Sequence, residues 1–196
     1  MKKGKFIVLY GTNNLGKTTQ AKLVIEKLQQ QGIKAEFTKY AHYDLEPTGK
    51  LINDYLREGN PNKFSPREFQ LLHFAERLQY EPILKEKLDQ GINVIAEDYF
   101  PTAIAWGTGA GVDQDFLEYL YKFIRHEDLG FLFDGTRFTQ SIESGHKHET
   151  DDVLTQKVRE VHQDLGKKYG WLLINANDTI ENIHAKIWEA ISNILE

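Results

Sequence analysis

Cysteine is absent from the sequence, which rules out disulfides and thiolate metal sites. No apolar run approaches the length of a membrane span. Positive charge is also scarce. Lys and Arg number 24 against 29 Asp and Glu, giving a net charge of −5, so overall charge draws the chain to neither nucleic acid nor an anionic membrane. Any phosphate ligand must be held by local positive groups. Only five prolines occur, and no repeat, low-complexity tract or linker breaks the chain. With 196 residues, a single domain over 1–196 is expected. The start, Met1-Lys2-Lys3-Gly4-Lys5, is basic, but the apolar run behind it is too short for a signal peptide. A cytoplasmic location is therefore the expectation.

What is present centres on one stretch. Phe6-Ile7-Val8-Leu9-Tyr10 suits a buried strand, and Ala21, Val24, Ile25 and Leu28 recur at helical spacing. Between them lies Gly11-Thr12-Asn13-Asn14-Leu15-Gly16-Lys17-Thr18, which reads G-x-x-x-x-G-K-[ST]. Strand, glycine loop and helix together make a phosphate cradle. Loop N–H groups and the positive end of the helix dipole face the anion. Lys17 would reach the β- and γ-phosphates of ATP, and the Thr18 hydroxyl would sit on Mg²⁺.

Further along, strands are expected at 35–39, 92–96, 131–133 and 171–174. Helices are expected at 49–57, 66–90, 113–125 and 151–168, with a last one capped by Asp178-Thr179-Ile180-Glu181. Ser65-Pro66-Arg67-Glu68 combines an N-cap, a proline at N1 and a capping box. Pro82 should kink or split the helix that follows. Strands alternating with helices predict an α/β fold, a parallel sheet of about five strands flanked by helices. In such sheets ligands bind beyond the carboxyl ends of the strands. That rule puts the glycine loop, loop 40–47, Glu97-Asp98-Tyr99 and Asp134 on one rim. Glu97 or Asp98 is the natural Mg²⁺ partner there, since Mg²⁺ prefers hard oxygen ligands. On helix 66–81 an aromatic and Arg77 share a face and could stack on a base and bond its edge. Phe74 has core packing as its rival role, and Arg77 a surface ion pair. The charged stretch 135–150, with Arg137, His146, Lys147 and His148, reads either as a lid over phosphates or as a solvated loop.

These residues carry a family likeness. The chain resembles thymidylate kinases, within the P-loop nucleoside monophosphate kinases. The likeness rests on the P-loop followed by Thr18-Thr19-Gln20, on Gly49-Lys50-Leu51-Ile52 with Tyr55-Leu56, and on Leu71-Leu72-His73-Phe74-Ala75-Glu76-Arg77. It continues through Pro82-Ile83-Leu84-Lys85-Glu86-Lys87-Leu88 and Gln90-Gly91 to Glu97-Asp98-Tyr99 with Thr102, Ala105 and Trp106. The resemblance implies a P-loop NTPase fold with a short lid, usually a homodimer, that moves the ATP γ-phosphate to dTMP with Mg²⁺. Gly11, Thr12, Asn13, Asn14, Leu15, Gly16, Lys17, Thr18 and Thr19 would bind ATP. Thr18 and Glu97 would serve the metal. Arg77 would contact the thymine edge and His73 or Phe74 would stack on the base. Tyr99, Thr102 and Trp106 would belong to the acceptor side. Lys17, Glu97, Asp98 and Lys147, the last in place of a lid arginine, would carry the catalysis.

The departures fall mostly on the acceptor side. Asp98 stands where the family has an arginine on the acceptor phosphate, and Asp44 aligns with a second such arginine. Asn13 replaces an aspartate near the acceptor sugar, and His146-Lys147-His148-Glu149 stands in the lid. Losing one arginine–phosphate pair costs about 2–5 kcal/mol, and an opposing acid adds repulsion. Lys39, Lys50 and Arg57 are the cations that could compensate. Three readings follow. One is a thymidylate-kinase-like enzyme with a rearranged acceptor site. A second is a kinase on the same frame whose acceptor lacks a phosphate, such as a nucleoside or a cationic small molecule, with an acid as general base. The third is a nucleotide-binding regulatory protein without turnover.

Overall fold

The computed structural model describes residues 2–137 and 152–195. Residues 138–150 of the expected lid, including His146, Lys147 and His148, lie outside the described residues. Five strands, β1 (Phe6–Tyr10), β2 (Ala35–Lys39), β3 (Asn93–Glu97), β4 (Leu129–Asp134) and β5 (Leu172–Asn175), form one sheet in the order β2-β3-β1-β4-β5. Every pairing is parallel. The helices are α1 (Lys17–Gln30), α2 (Thr48–Arg57), α3 (Pro66–Asp89), α4 (Phe100–Gly109), α5 (Gln114–Tyr121), α6 (Asp152–Tyr169) and α7 (Ile180–Leu195).

Both faces of the central strands are covered, so β1 and β3 are apolar runs without alternation. Phe6, Val8 and Tyr10 pack one way, with Val94, Ala96, Leu84, Phe100 and Leu165. Ile7 and Leu9 point the other way, onto Val24 and Leu28 of α1 and Ile183 and Ile187 of α7. A small satellite of Ala41, Ile52, Tyr55, Leu56 and Phe69 holds α2 against α3.

Two expectations change here. Pro82 does not split its helix; α3 runs without a break through it to Asp89. Pro82 is exposed, while Tyr80, Leu84 and Leu88 on the buried side stay anchored in the core. One lost backbone bond at the surface is outweighed by that packing. At the other end of α3, Ser65 and Glu68 close the expected capping box. The second change is α4, which the sequence pattern does not announce. Phe100 through Gly107 are all buried, so this helix has no polar face and no 3.6-residue alternation. It follows Asp98 directly and lays a wall beside the strand ends.

Candidate active site

Parallel strands bring their carboxyl ends to one edge. The register pairs Leu9 with Glu97, and Lys39 with Glu97, so the carboxyl ends of β1, β2 and β3 stand side by side. The loops that leave them enclose a cavity of about 820 Å³.

At its floor is the phosphate cradle. Gly11 has φ 131, and a Cβ there would lie 2.4 Å from the Phe133 carbonyl oxygen, so only glycine fits. The Lys17 ammonium donates to the carbonyls of Gly11 (3.0 Å) and Thr12 (2.8 Å) and lies 3.8 Å from Asp98. Those carbonyls hold the charge over the loop, whose residues 13–19 line the cavity. The Thr18 hydroxyl donates to the Glu97 carboxylate. Glu97 also takes the Lys39 ammonium at 2.8 Å. Burial pushes the Glu97 carboxyl up, but Lys17, Lys39 and the Thr18 hydroxyl outweigh it and hold it below the usual carboxylate value. The pair fits Mg²⁺: two hard oxygen ligands meet beside the phosphate loop. Among the described residues no cluster of three His, Cys, Asp or Glu could hold a metal unaided, as expected for an ion that is shared with substrate phosphates. Asp98 differs from its neighbour. Its backbone is left-handed at φ 60, its carboxyl accepts from Thr102 at 3.3 Å, and burial raises its pKa against the pull of Lys17.

The opposite wall is built on α3. Arg77 lines the cavity and is ion-paired with the fully buried Glu76 at 2.9 Å. It donates to His73 Nδ1 at 2.7 Å and to the Tyr99 carbonyl at 3.5 Å. A guanidinium only donates, so Nδ1 of His73 accepts and a neutral His73 carries its proton on Nε2. The other Glu76 oxygen accepts from both the backbone N–H (3.0 Å) and the Nδ1 (2.6 Å) of His42. Nε2 of His42 meets the Thr38 hydroxyl at 2.6 Å. A buried polar chain thus runs from β2 through loop 40–47 to the cavity wall on α3.

The cavity gathers Asn13, Lys17, Thr18, Glu97, Asp98, His73, Arg77, Thr102 and Trp106. Three other acceptor candidates lie elsewhere. Phe74 follows His73 by about 100° around the helix and packs on Phe100 in the core (5.5 Å between rings); His73 is the ring at the cavity. The Tyr99 side chain is buried edge-on against Phe6 and Tyr40, because the left-handed turn at Asp98 sends it back onto the sheet. Asp44 is exposed and forms no part of the wall, so its negative charge does not face the cavity. The rim rule placed loop 40–47 here, and its Tyr40 and Tyr43 line the cavity. Sequence reasoning gave no site role to Leu56, Asp178 and Ile180, which also line it; nothing local marks them.

Gly49 fixes loop 40–47 in place. A Cβ there would lie 2.0 Å from the His42 carbonyl oxygen and 2.8 Å from the Tyr43 carbonyl carbon. Backbone cannot yield as a flexible side chain can. A shift of about 1 Å in a positioning element can cost about 100-fold in rate. Gly49→Ala is therefore expected to lower kcat/KM for the acceptor by about 10- to 100-fold while the ATP KM stays near wild type, as steady-state kinetics varying each substrate would reveal.

The comparisons with known proteins agree with this geometry. The family model for thymidylate kinase matches residues 9–187. A probable thymidylate kinase of Thermococcus kodakarensis is 32% identical over 207 residues, covering 97% of this chain and 98% of its own. The human thymidylate kinase is 26% identical over 197 residues, covering 95% and 89%. A solved thymidylate kinase from Candida albicans shares the fold with TM-score 0.79 at 22% identity, over 97% of this chain and 92% of that one. No helix among the described residues is long and apolar enough to cross a membrane.

Proposed function

The chain belongs to the thymidylate kinase family, and from that premise we propose that it transfers the γ-phosphoryl group of ATP to dTMP. The observation that carries this is a reversal of charge. The chain as a whole is acidic, at −5. Its cavity nevertheless has five cations on its wall, Lys17, Lys39, Arg57, Arg77 and Arg137, against Glu97, Asp98 and Asp178 on the wall and Glu76 paired with Arg77 behind it. A site for polyanions needs that excess, and a site for a cationic small molecule would show the opposite.

In this reading Lys17 and the loop N–H groups hold the donor phosphates. Thr18 and Glu97 would hold Mg²⁺, which would supply positive charge against the transferred group. His73 provides a flat ring for the base, and Arg77 offers N–H donors to a carbonyl on its edge. Arg137, whose guanidinium donates to Thr155 at 3.3 Å, adds positive charge near the end of β4. The catalytic role expected of Lys147 belongs to the same reading.

Asp98 is the one feature that favours an acceptor without a phosphate, since it could serve as general base to a hydroxyl. The test offers Mg-ATP with dTMP, other nucleoside monophosphates and free nucleosides, and follows ADP release. Turnover with dTMP and none with thymidine is expected; turnover confined to unphosphorylated acceptors refutes the proposal. Asp98→Asn sharpens the contrast. Removing a charge that repels the acceptor phosphate should lower the KM for dTMP by about tenfold, the equivalent of about 1.4 kcal/mol. A base role predicts the reverse, a loss of turnover.

A further inference from the structure

We propose that Lys39 is a positioning residue that acts through Glu97: it reserves this carboxylate for a metal ion arriving with nucleotide and keeps a free divalent ion out. The inference rests on the proposed role of Thr18 and Glu97 toward Mg²⁺ and adds to it what controls that pair.

Lys39 and Glu97 are the last residues of β2 and β3 and are direct partners in the register. Partners on neighbouring parallel strands lie about 4.8 Å apart with their side chains on one face, so the two meet without strain. The Lys39 ammonium donates to Oε1 of Glu97 at 2.8 Å. The other oxygen, Oε2, accepts from the Thr18 hydroxyl. Each oxygen has its own partner, and the carboxylate cannot turn without breaking a contact. Burial adds to this hold. The Glu97 side chain is 6% exposed and that of Lys39 55%, so the acid is fixed in the wall and the ammonium covers it from the solvent side. Both residues line the cavity.

Charge decides what this arrangement does. Lys17 and Lys39 act electrostatically on both Glu97 and Asp98. Two cations therefore face two acids, and the sum is zero. A lone divalent cation gains little there, and among the described residues no third acid or His completes a metal cluster. Phosphates change the balance, because they bring the missing negative charge and share the ion with the protein. With Lys39 on Oε1, the oxygen left beside the phosphate loop is Oε2, next to Thr18. The metal site is thus conditional on nucleotide, and Lys39 supplies the condition.

The probe is Mn²⁺ added to nucleotide-free protein at low ionic strength, with free Mn²⁺ read by electron paramagnetic resonance. Lys39→Met removes the charge and keeps the apolar stem. It should bind Mn²⁺ at least about tenfold more tightly than wild type, the size expected for deleting one unit charge beside a dication. Lys39→Arg should stay at the wild-type level, and adding Glu97→Gln to Lys39→Met should abolish the gain. The metal role of Glu97 is checked on its own: Glu97→Gln should raise the Mg²⁺ concentration that gives half-maximal ADP release. An unchanged Mg²⁺ requirement in Glu97→Gln overturns the metal pair and the role of Lys39 with it. A raised requirement, but no gain of Mn²⁺ binding in Lys39→Met, overturns the role of Lys39 alone. So does a gain that persists in the double variant, since the ion would then sit elsewhere.

Discussion

Lys17→Ala is expected to abolish turnover and leave the fold standing. The Lys17 ammonium is nearly buried; it donates to two neutral carbonyls, lies 3.8 Å from Asp98 and acts electrostatically on Glu97. Removing one group that stabilises developing charge in a closed site costs about 10²–10³ in kcat, and phosphoryl transfer leaves the protein little to do besides positioning and charge stabilisation. A coupled assay of ADP release should show a fall of at least that size. Thermal unfolding should move little, because Lys17 donates to two neutral carbonyls and lies 3.8 Å from Asp98, beyond hydrogen-bond reach. Near-normal turnover would refute the role given to the loop.

The largest loss of stability is expected from Glu76→Ala. Glu76 is fully buried, and it holds Arg77 at 2.9 Å and His42 through two hydrogen bonds. Removing one partner of a buried pair strands the other, at a cost of about 3–5 kcal/mol. For a chain of this size that is a fall in Tm of roughly 6–20 °C, measurable by calorimetry; a change under about 2 °C would refute the network. Glu76→Gln keeps the shape and part of the bonding, so its loss should be smaller. The pH dependence follows. Burial pushes the Glu76 carboxyl up, but Arg77 and then His42 outweigh it and hold it below its ordinary value. A depressed carboxylate contributes fully above the unfolded-state range, and the contribution disappears as pH falls through the lower folded value. The gap in Tm between wild type and Glu76→Gln should therefore be constant at neutral pH and narrow in acid.

What could be seen in the sequence was what a short stretch can encode alone. The P-loop needs eight consecutive residues and a strand before it, and all of that is local. The α/β alternation and the capping box at Ser65 and Glu68 are local as well. What stayed hidden depends on contacts between distant segments. Helix α4 has no amphipathic signature because it is buried on all sides. His73 and Phe74 are adjacent in sequence, and only the helix phase against Phe100 decides which of them meets the cavity. Asp44 aligns with a phosphate-binding position, yet the loop that carries it turns it outward. Arg57 lies at the end of an ordinary amphipathic helix, and only its place over Tyr43 shows where it points.

The buried chain from Thr38 through His42 and Glu76 to Arg77 and His73 also limits how this sequence can drift. Its members come from β2, loop 40–47 and α3, so no single segment can be exchanged without the others. A lineage that replaced Glu76 first would pass through a form with an unpaired buried guanidinium, and one that replaced Arg77 first would strand a carboxylate. Strong coupling of this kind makes the single steps costly and the joint change tolerable. If the proposed function holds, this wall of the cavity changes as a block rather than one residue at a time.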